Sequence, residues 1–278
     1  MGEGVILATG DIVEKGDMKE SIRELFEYRH LLFMLTWKEI RIRYKQTIMG
    51  FFWALLMPML IVAAGVLIRQ AFALVSDQPV NLRDVASICV KALPWAFFVG
   101  AIRFSTSSLT GNSNLVTKIY FPREVFPVSA VLANLFDFAV ASVVVVVVLI
   151  LARTGLGVDI LWLPLLLVLL VFLTLGLGML LACGNLFFRD VKYIVEVLLT
   201  FGIFFTPVFY EAKMLGKWAP VILLNPLAPL LEAMNDVIVL HRPPDYGWLG
   251  YSASWAVLGF LIAWKVFDRA ESAFAENI

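Results

Sequence analysis

Long apolar runs alternate with short polar breaks along the whole chain, and one junction organises the rest. An apolar run ends at Phe188. Arg189, Asp190 and Lys192 follow in a tight cluster, and a second run continues to Thr206-Pro207-Val208-Phe209-Tyr210. Two bilayer-length segments joined by so few residues form a hairpin, and its charged junction lies at a membrane face, because charges are costly at the bilayer centre. The turn reads either as a simple cap or as a docking surface for a cytoplasmic partner.

The same pattern divides the remainder. The first thirty residues are polar and acidic, with no cleaved signal peptide expected, and residues 1–20 read as a flexible cytoplasmic tail. From 21 to 47 the spacing becomes helical: Phe33, Trp37, Ile40 and Tyr44 share one face, with Lys38, Arg41 and Lys45 beside it. That predicts an amphipathic interfacial helix, aromatic side in lipid and basic groups toward phosphates. A first span is expected from Gly50 to Ile68, kinked by Pro58, then a polar loop from Arg69 to Lys91. A weaker second span from Ala92 to Leu109 holds Arg103, which points into a bundle, a cavity or the inner interface. Gly111 to Pro127 is too apolar to be free in water and predicts a short amphipathic helix at the cytoplasmic face. The third span, Val128 to Leu151, contains Asp137, either a functional carboxylate or a partner for Arg103.

The fourth span, Leu161 to Phe188, carries Gly176, Gly178 and Gly184, where another helix can approach closely. The fifth, Val191 to Tyr210, has Glu196 near its cytoplasmic end. Glu211 to Asp245 is apolar but interrupted by Pro220, Pro226 and Pro229, which predicts short re-entrant or interfacial helices. A sixth span runs from Trp248 to Phe267. The expected fold is therefore an all-α integral membrane protein with six transmembrane helices over 48–278, an N-terminal interfacial amphipathic helix, and short re-entrant helices between spans five and six.

Composition agrees. Of 278 residues, 61% are hydrophobic and 16% charged, against about a quarter charged in soluble domains. The formal net charge is zero, which gives no reason to expect nucleic acid as a partner. Fourteen Lys and Arg fall on the side of the termini and seven on the other, so both termini are expected in the cytoplasm. Cys89 and Cys183 read as buried small hydrophobes with no metal spacing, and His30 and His241 as surface residues. There is no phosphate-binding G-x-x-x-x-G-K-[ST], no H-E-x-x-H and no G-x-S-x-G, so neither ATP binding nor a catalytic set is expected in this chain. A transporter subunit fits better than an enzyme. A membrane-embedded transferase would need Asp137 or Glu196 as its acid or base.

Several stretches stand out together: WKEIRIRYKQTIMGFFWALLMP (Trp37 to Pro58), LPWAFFVG (Leu93 to Gly100), NLVTKIYFPREVFP (Asn114 to Pro127), NLFFRDVKYI with FFTPVFY (within Asn185 to Tyr210), LNPLAPLLEAMNDVI (Leu224 to Ile238) and the ending VFDRAESAFAENI. In this order they resemble one family, the membrane permease of ABC-2 type polysaccharide exporters, which move lipid-linked O-antigen, related cell-surface glycans and wall teichoic acid. The resemblance covers about Leu25 to Ile278. Met49 stands where leucine is expected and Asn235 where the family often has arginine.

The resemblance implies a homodimer working with two separate ATPase subunits that bind ATP and Mg, in the bacterial cytoplasmic (inner) membrane. Lys118, Tyr120, Phe121, Arg123 and Glu124 would form a coupling helix in an ATPase cleft. Trp37, Lys38, Arg41, Tyr44 and Lys45 would lie near lipid headgroups where the substrate enters, and the 211–245 segment would gate the outer mouth. The substrate would be a glycan on undecaprenyl pyrophosphate or a related lipid. Phe52, Trp53, Phe204, Phe205, Phe209 and Tyr210 could offer stacking faces to sugars, or pack against lipid. The alternative within transport is an ABC-2 permease for a drug or small lipid.

Overall fold

The structure, a computed structural model, describes residues 18–45, 52–76, 81–118, 121–155, 157–271 and 274. Most of the expected tail, Met49 and Tyr120 lie outside the described residues, as do the side chains of Trp53 and Lys118. All regular structure among the described residues is helical: α1 (Met18–Glu27), α2 (Arg29–Tyr44), α3 (Phe52–Ser76), α4 (Leu82–Thr106), α5 (Ser108–Gly111), α6 (Ser113–Lys118), α7 (Val125–Leu151), α8 (Leu163–Phe187), α9 (Val191–Gly202), α10 (Ala219–Leu223), α11 (Leu227–Asn235) and α12 (Tyr246–Glu271).

Four of these helical stretches, Leu82–Thr106, Val125–Leu151, Val158–Phe187 and Tyr246–Glu271, are long and apolar enough to cross a membrane. At 1.5 Å per residue, a 25-residue helix reaches roughly 38 Å, more than the ~30 Å hydrocarbon core. α3 is also 25 residues long and continues through Pro58, with its apolar described stretch at Pro58–Ala71.

α4 is the axis of the bundle. It packs against α3, α7, α8, α9 and α11, and is buried along most of its length. Trp95, Phe97, Phe98 and Ile102 on α4 form one core with Leu166 and Leu170 of α8 and with Leu227, Leu230 and Met234 of α11. A second core at the other end of the bundle joins Leu35 of α2, Phe121, Phe126, Met179 and Leu186 to Trp264, Phe267 and Phe274. Cys89 and Cys183 are buried and free.

Two of the predicted glycine approaches form. A Cβ on Gly176 would lie 2.9 Å from Phe260 Cα of α12, and one on Gly178 would lie 2.6 Å from Ser105 Oγ of α4. Gly184 differs, since its nearest neighbour is Val191 at 3.8 Å, within the following turn.

The structure corrects three boundaries. The loop expected from Arg69 to Lys91 is mostly helix: α3 continues to Ser76 and α4 begins at Leu82, where the Asn81 N–H donates to Asp84 Oδ2 at 2.9 Å. Three of its charges do not mark a loop because they are paired: Arg69 pairs with Asp84, and Lys91 is fully buried beside Glu232. The stretch from 21 to 47 is two helices that part at Tyr28. The fifth run is not one helix to Tyr210. α9 has 12 residues, about 18 Å, and a short turn at Ile203–Phe205 leads to an extended Thr206 (φ −123°, ψ 135°). Pro207 disfavours helical geometry at the residue before it, which ends the helix there. Between Glu211 and Asp245 the chain forms short helical pieces, Ala212–Trp218, α10, α11 and a π turn at Asp236–Leu240.

Candidate functional site

α2 meets α7 through a polar knot. Arg43 Nη1 donates to Asp137 Oδ2 at 2.6 Å and to Asn134 Oδ1 at 3.1 Å, and the Tyr44 hydroxyl donates to the other Asp137 oxygen. The Arg43 guanidinium also lies 3.8 Å over the Phe104 ring of α4. Burial and the Asp137 carboxylate raise the Tyr44 phenol above its ordinary range, so it remains a donor. The carboxylate in the third span is thus satisfied by the amphipathic segment.

Arg103 does not pair with Asp137, as one reading of the sequence had it. Its Nε donates to Glu196 Oε2 at 2.8 Å, and its Nη2 lies 2.7 Å from Oε1, a two-pronged bond from α4 to α9. The reason is orientation: Arg103 lies on the α9 side of α4, and α2 supplies the nearer cation to α7. Both carboxylates that a transferase would need are engaged by arginines.

The two ion pairs sit around a cavity of about 510 Å³ walled by α3, α4 and α7, with Arg43, Tyr44, Arg103 and Asp137 beside Trp95, Phe97 and Phe104. Arg43 is the residue that sequence reasoning passed over, counted only as one more basic group. Its signal was angular: at 100° per residue it falls roughly opposite Lys38, Arg41 and Lys45, on the side where Leu35 and Ile40 bury α2. Phe33 and Trp37 are exposed, as are Lys38, Arg41 and Lys45, and Lys38 Nζ donates to Asn112 Oδ1 at 3.0 Å. Ile40 and Tyr44 complete the aromatic stripe but turn inward at its edge.

The segment between α4 and α7 folds back under the bundle as α5, α6 and a turn at Phe121–Glu124. Phe121 is buried and packs on Phe126 at 5.4 Å between ring centroids. Arg123 donates to the Glu271 carbonyl and lies 5.8 Å from the Phe274 ring, so the turn is fastened to the end of α12. Glu124 is 3% exposed, and its carboxyl is pushed up to about 8 by burial, with Glu271 and the hydrogen bond to Asp268 adding to the shift. The hairpin turn is more open: Arg189, Asp190 and Lys192 are all exposed. Asn185 braces it, donating to the Thr106 carbonyl at 3.1 Å and to Thr110 Oγ1 at 3.2 Å, and accepting from the Lys192 N–H at 3.2 Å.

At the opposite end, Lys91 was not foreseen as a structural cation. Its ammonium donates to the Tyr210 carbonyl at 2.5 Å and lies 3.5 Å from Glu232 Oε1, tying α4 to the chain after α9 and to α11. Of the candidate aromatics, Phe52, Phe204 and Phe205 are exposed, while Phe209 and Tyr210 are half-buried. Phe209 lies over Gly65, and the Tyr210 hydroxyl donates to the Phe204 carbonyl at 3.0 Å. Tyr193, Ile194, Val197, Leu198, Phe201 and Phe204 form one continuous exposed apolar face on and after α9. Among the described residues, no group of three His, Cys, Asp or Glu could hold a metal ion.

Comparison with known proteins puts this geometry in context. Residues 30–239 match the family described as ABC-2 type transporter. The chain is 30% identical over 261 residues to the O-antigen export system permease protein RfbA of Myxococcus xanthus, covering 92% of this chain and 98% of the relative. It is 26% identical over 262 residues to the protein of the same name from Klebsiella pneumoniae, covering 93% and 98%. A bundle of membrane-length helices, matched to this family over most of its length and to the named permeases over more than nine-tenths of it, belongs to the ABC-2 type transporter membrane family.

Proposed function

We propose that the chain is the permease of an exporter that carries a lipid-linked polysaccharide (O-antigen, a related cell-surface glycan or teichoic acid) across the bacterial inner membrane. The observation that carries this reading is the similarity, over more than nine-tenths of the chain, to permeases named for O-antigen export. The working unit is a homodimer with two copies of a separate ATPase subunit, which bind ATP and Mg. The substrate is a glycan on undecaprenyl pyrophosphate or a related lipid.

The parts take the following roles. Six membrane passages are made by α3, α4, α7, α8, α9 with the turn to Tyr210, and α12, leaving both termini in the cytoplasm. Residues 21–47 lie along the inner interface, where Lys38, Arg41 and Lys45 draw the pyrophosphate headgroup and Trp37 holds the helix in the lipid boundary. The Arg43–Asp137–Tyr44 knot fixes that helix against α7, beside the 510 Å³ cavity. Lys118, Tyr120, Phe121, Arg123 and Glu124 belong to the ATPase-coupling element, and its anchoring to α12 through Arg123 supports a stiff transmission of motion. The exposed aromatic end of α9 faces the second copy, and Phe52, Trp53, Phe204 and Phe205 offer adaptable stacking surfaces to a sugar chain. The short helices over 211–245 fold back into the outer leaflet as a gate, held to α4 by Lys91 and Glu232.

Deleting the gene in its native host tests the reading. Lipid-linked polymer is expected to accumulate on the cytoplasmic face of the inner membrane while surface glycan disappears. Normal glycan display with new drug sensitivity would replace this reading with that of a drug or small-lipid permease.

A further inference from the structure

A second cavity adjoins the first at Leu93 and Phe138 and extends toward the end of the bundle remote from α2, where α11 and the turn after it close over it. It has a volume of about 670 Å³ and runs between α4, α7, α8 and the turn after α11. Leu93, Phe138, Val145, Leu149, Leu163 and Leu167 form its walls. Three of the helices that wall it have membrane-crossing length, so its walls lie in the hydrocarbon layer. Apolar cavities of ~150 Å³ stay dry and take up a benzene ring; one roughly four times larger takes a molecule the size of a chain.

The cavity has one polar end, formed by Arg153, Thr154 and His241 where α7 stops. Arg153 is exposed and makes no ion pair among the described residues. Asp236 is already held by Arg242 at 2.6 Å, and neither Asp236 nor Asp159 lines the cavity. The His241 Nε2–H donates to the Thr154 carbonyl at 2.5 Å, while Nδ1 has no partner. An unpaired guanidinium at the mouth of an apolar groove, at the depth where a membrane helix ends, complements a phosphate headgroup whose chain lies in the groove.

We propose that this groove binds one anionic phospholipid, with an acyl chain along the α4–α7–α8 wall and its phosphate at Arg153. The proposal rests on the membrane-spanning helices and does not depend on which substrate is exported. A single interfacial arginine strengthens binding of an anionic headgroup about fivefold.

Native mass spectrometry of the full-length chain, delipidated in mild detergent, tests it with dioleoylphosphatidylglycerol, dioleoylphosphatidylcholine and undecaprenyl phosphate as probes. One equivalent of phosphatidylglycerol is expected to bind about fivefold or more tightly than phosphatidylcholine. Arg153→Gln should abolish that preference and Arg153→Lys should keep it, which separates charge from folding. Val145→Trp, which fills the groove, should weaken both lipids. Equal binding of the two phospholipids, an unchanged preference in Arg153→Gln, or an unaffected Val145→Trp would each overturn the proposal. Displacement of the bound phosphatidylglycerol by undecaprenyl phosphate at equal concentration would also overturn it, assigning the groove to the transported lipid.

Discussion

Arg43 and Asp137 show how a charge survives at membrane depth. Their side chains are 14% and 22% exposed, and each answers the other at 2.6 Å. Removing one partner of such a pair leaves the other uncompensated, at a cost of about 3 kcal/mol or more. Asp137→Leu is therefore expected to lower thermal stability in detergent strongly. Arg43→Leu/Asp137→Leu together should recover much of the loss, and strict additivity of the two single changes would contradict the pairing. Glu124 makes a prediction of different sign. Its carboxyl is raised from an ordinary 4.5 to about 8 by burial. Below that window both folded and unfolded chains carry the proton; within it the folded chain keeps a proton that the unfolded chain has lost. Stability therefore falls as pH rises through the window and levels off above it. Glu124→Gln should flatten part of that slope in melting curves taken across the same pH range, and an unchanged slope would contradict the assignment.

At the scale of elements, length and apolarity made most of the fold legible. The spans around Val128 to Leu151, Leu161 to Phe188 and Trp248 to Phe267 lie close to α7, α8 and α12, because uninterrupted apolar runs in a membrane have helix as their way of satisfying the backbone. Charges misled where they were paired across elements. Arg83, Asp84 and Lys91 look like a loop in one dimension, yet Asp84 and Lys91 meet their partners only once α3 and the chain after α9 are in place. The pairing of Arg43 with Asp137 was hidden for the same reason, since contacts between residues far apart in sequence leave no local pattern. The glycines carry element-scale tests. Gly176→Ala would press a methyl against the Phe260 backbone at 2.9 Å, which cannot swing aside, so it should separate α8 from α12 and sharply reduce the folded yield. Gly184→Ala, with its nearest atom at 3.8 Å, should be tolerated, and equal loss in both variants would count against the close crossing.

For the whole molecule, the exposed apolar face of α9 is the surface that the proposed homodimer would bury. If α9 lines a two-fold contact, a single cysteine at Phe201, in a background with Cys89 and Cys183 replaced by alanine, should crosslink two copies in native membranes. Val143→Cys on an exposed part of α7 should not. Crosslinking at Val143 alone would move the dimer contact to α7.

The proposed function makes this chain the membrane half of an ATP-driven exporter, inactive without its ATPase. The most direct measurement is affinity purification of the tagged chain from its native host in mild detergent, with mass spectrometry of whatever accompanies it and an ATPase assay on the product. A stoichiometric ATPase subunit, a lipid-linked glycan in the same preparation, and hydrolysis that disappears when the ATPase subunit is stripped away are the expected result. A chain that purifies alone, without an ATPase or lipid-linked sugar, would contradict it.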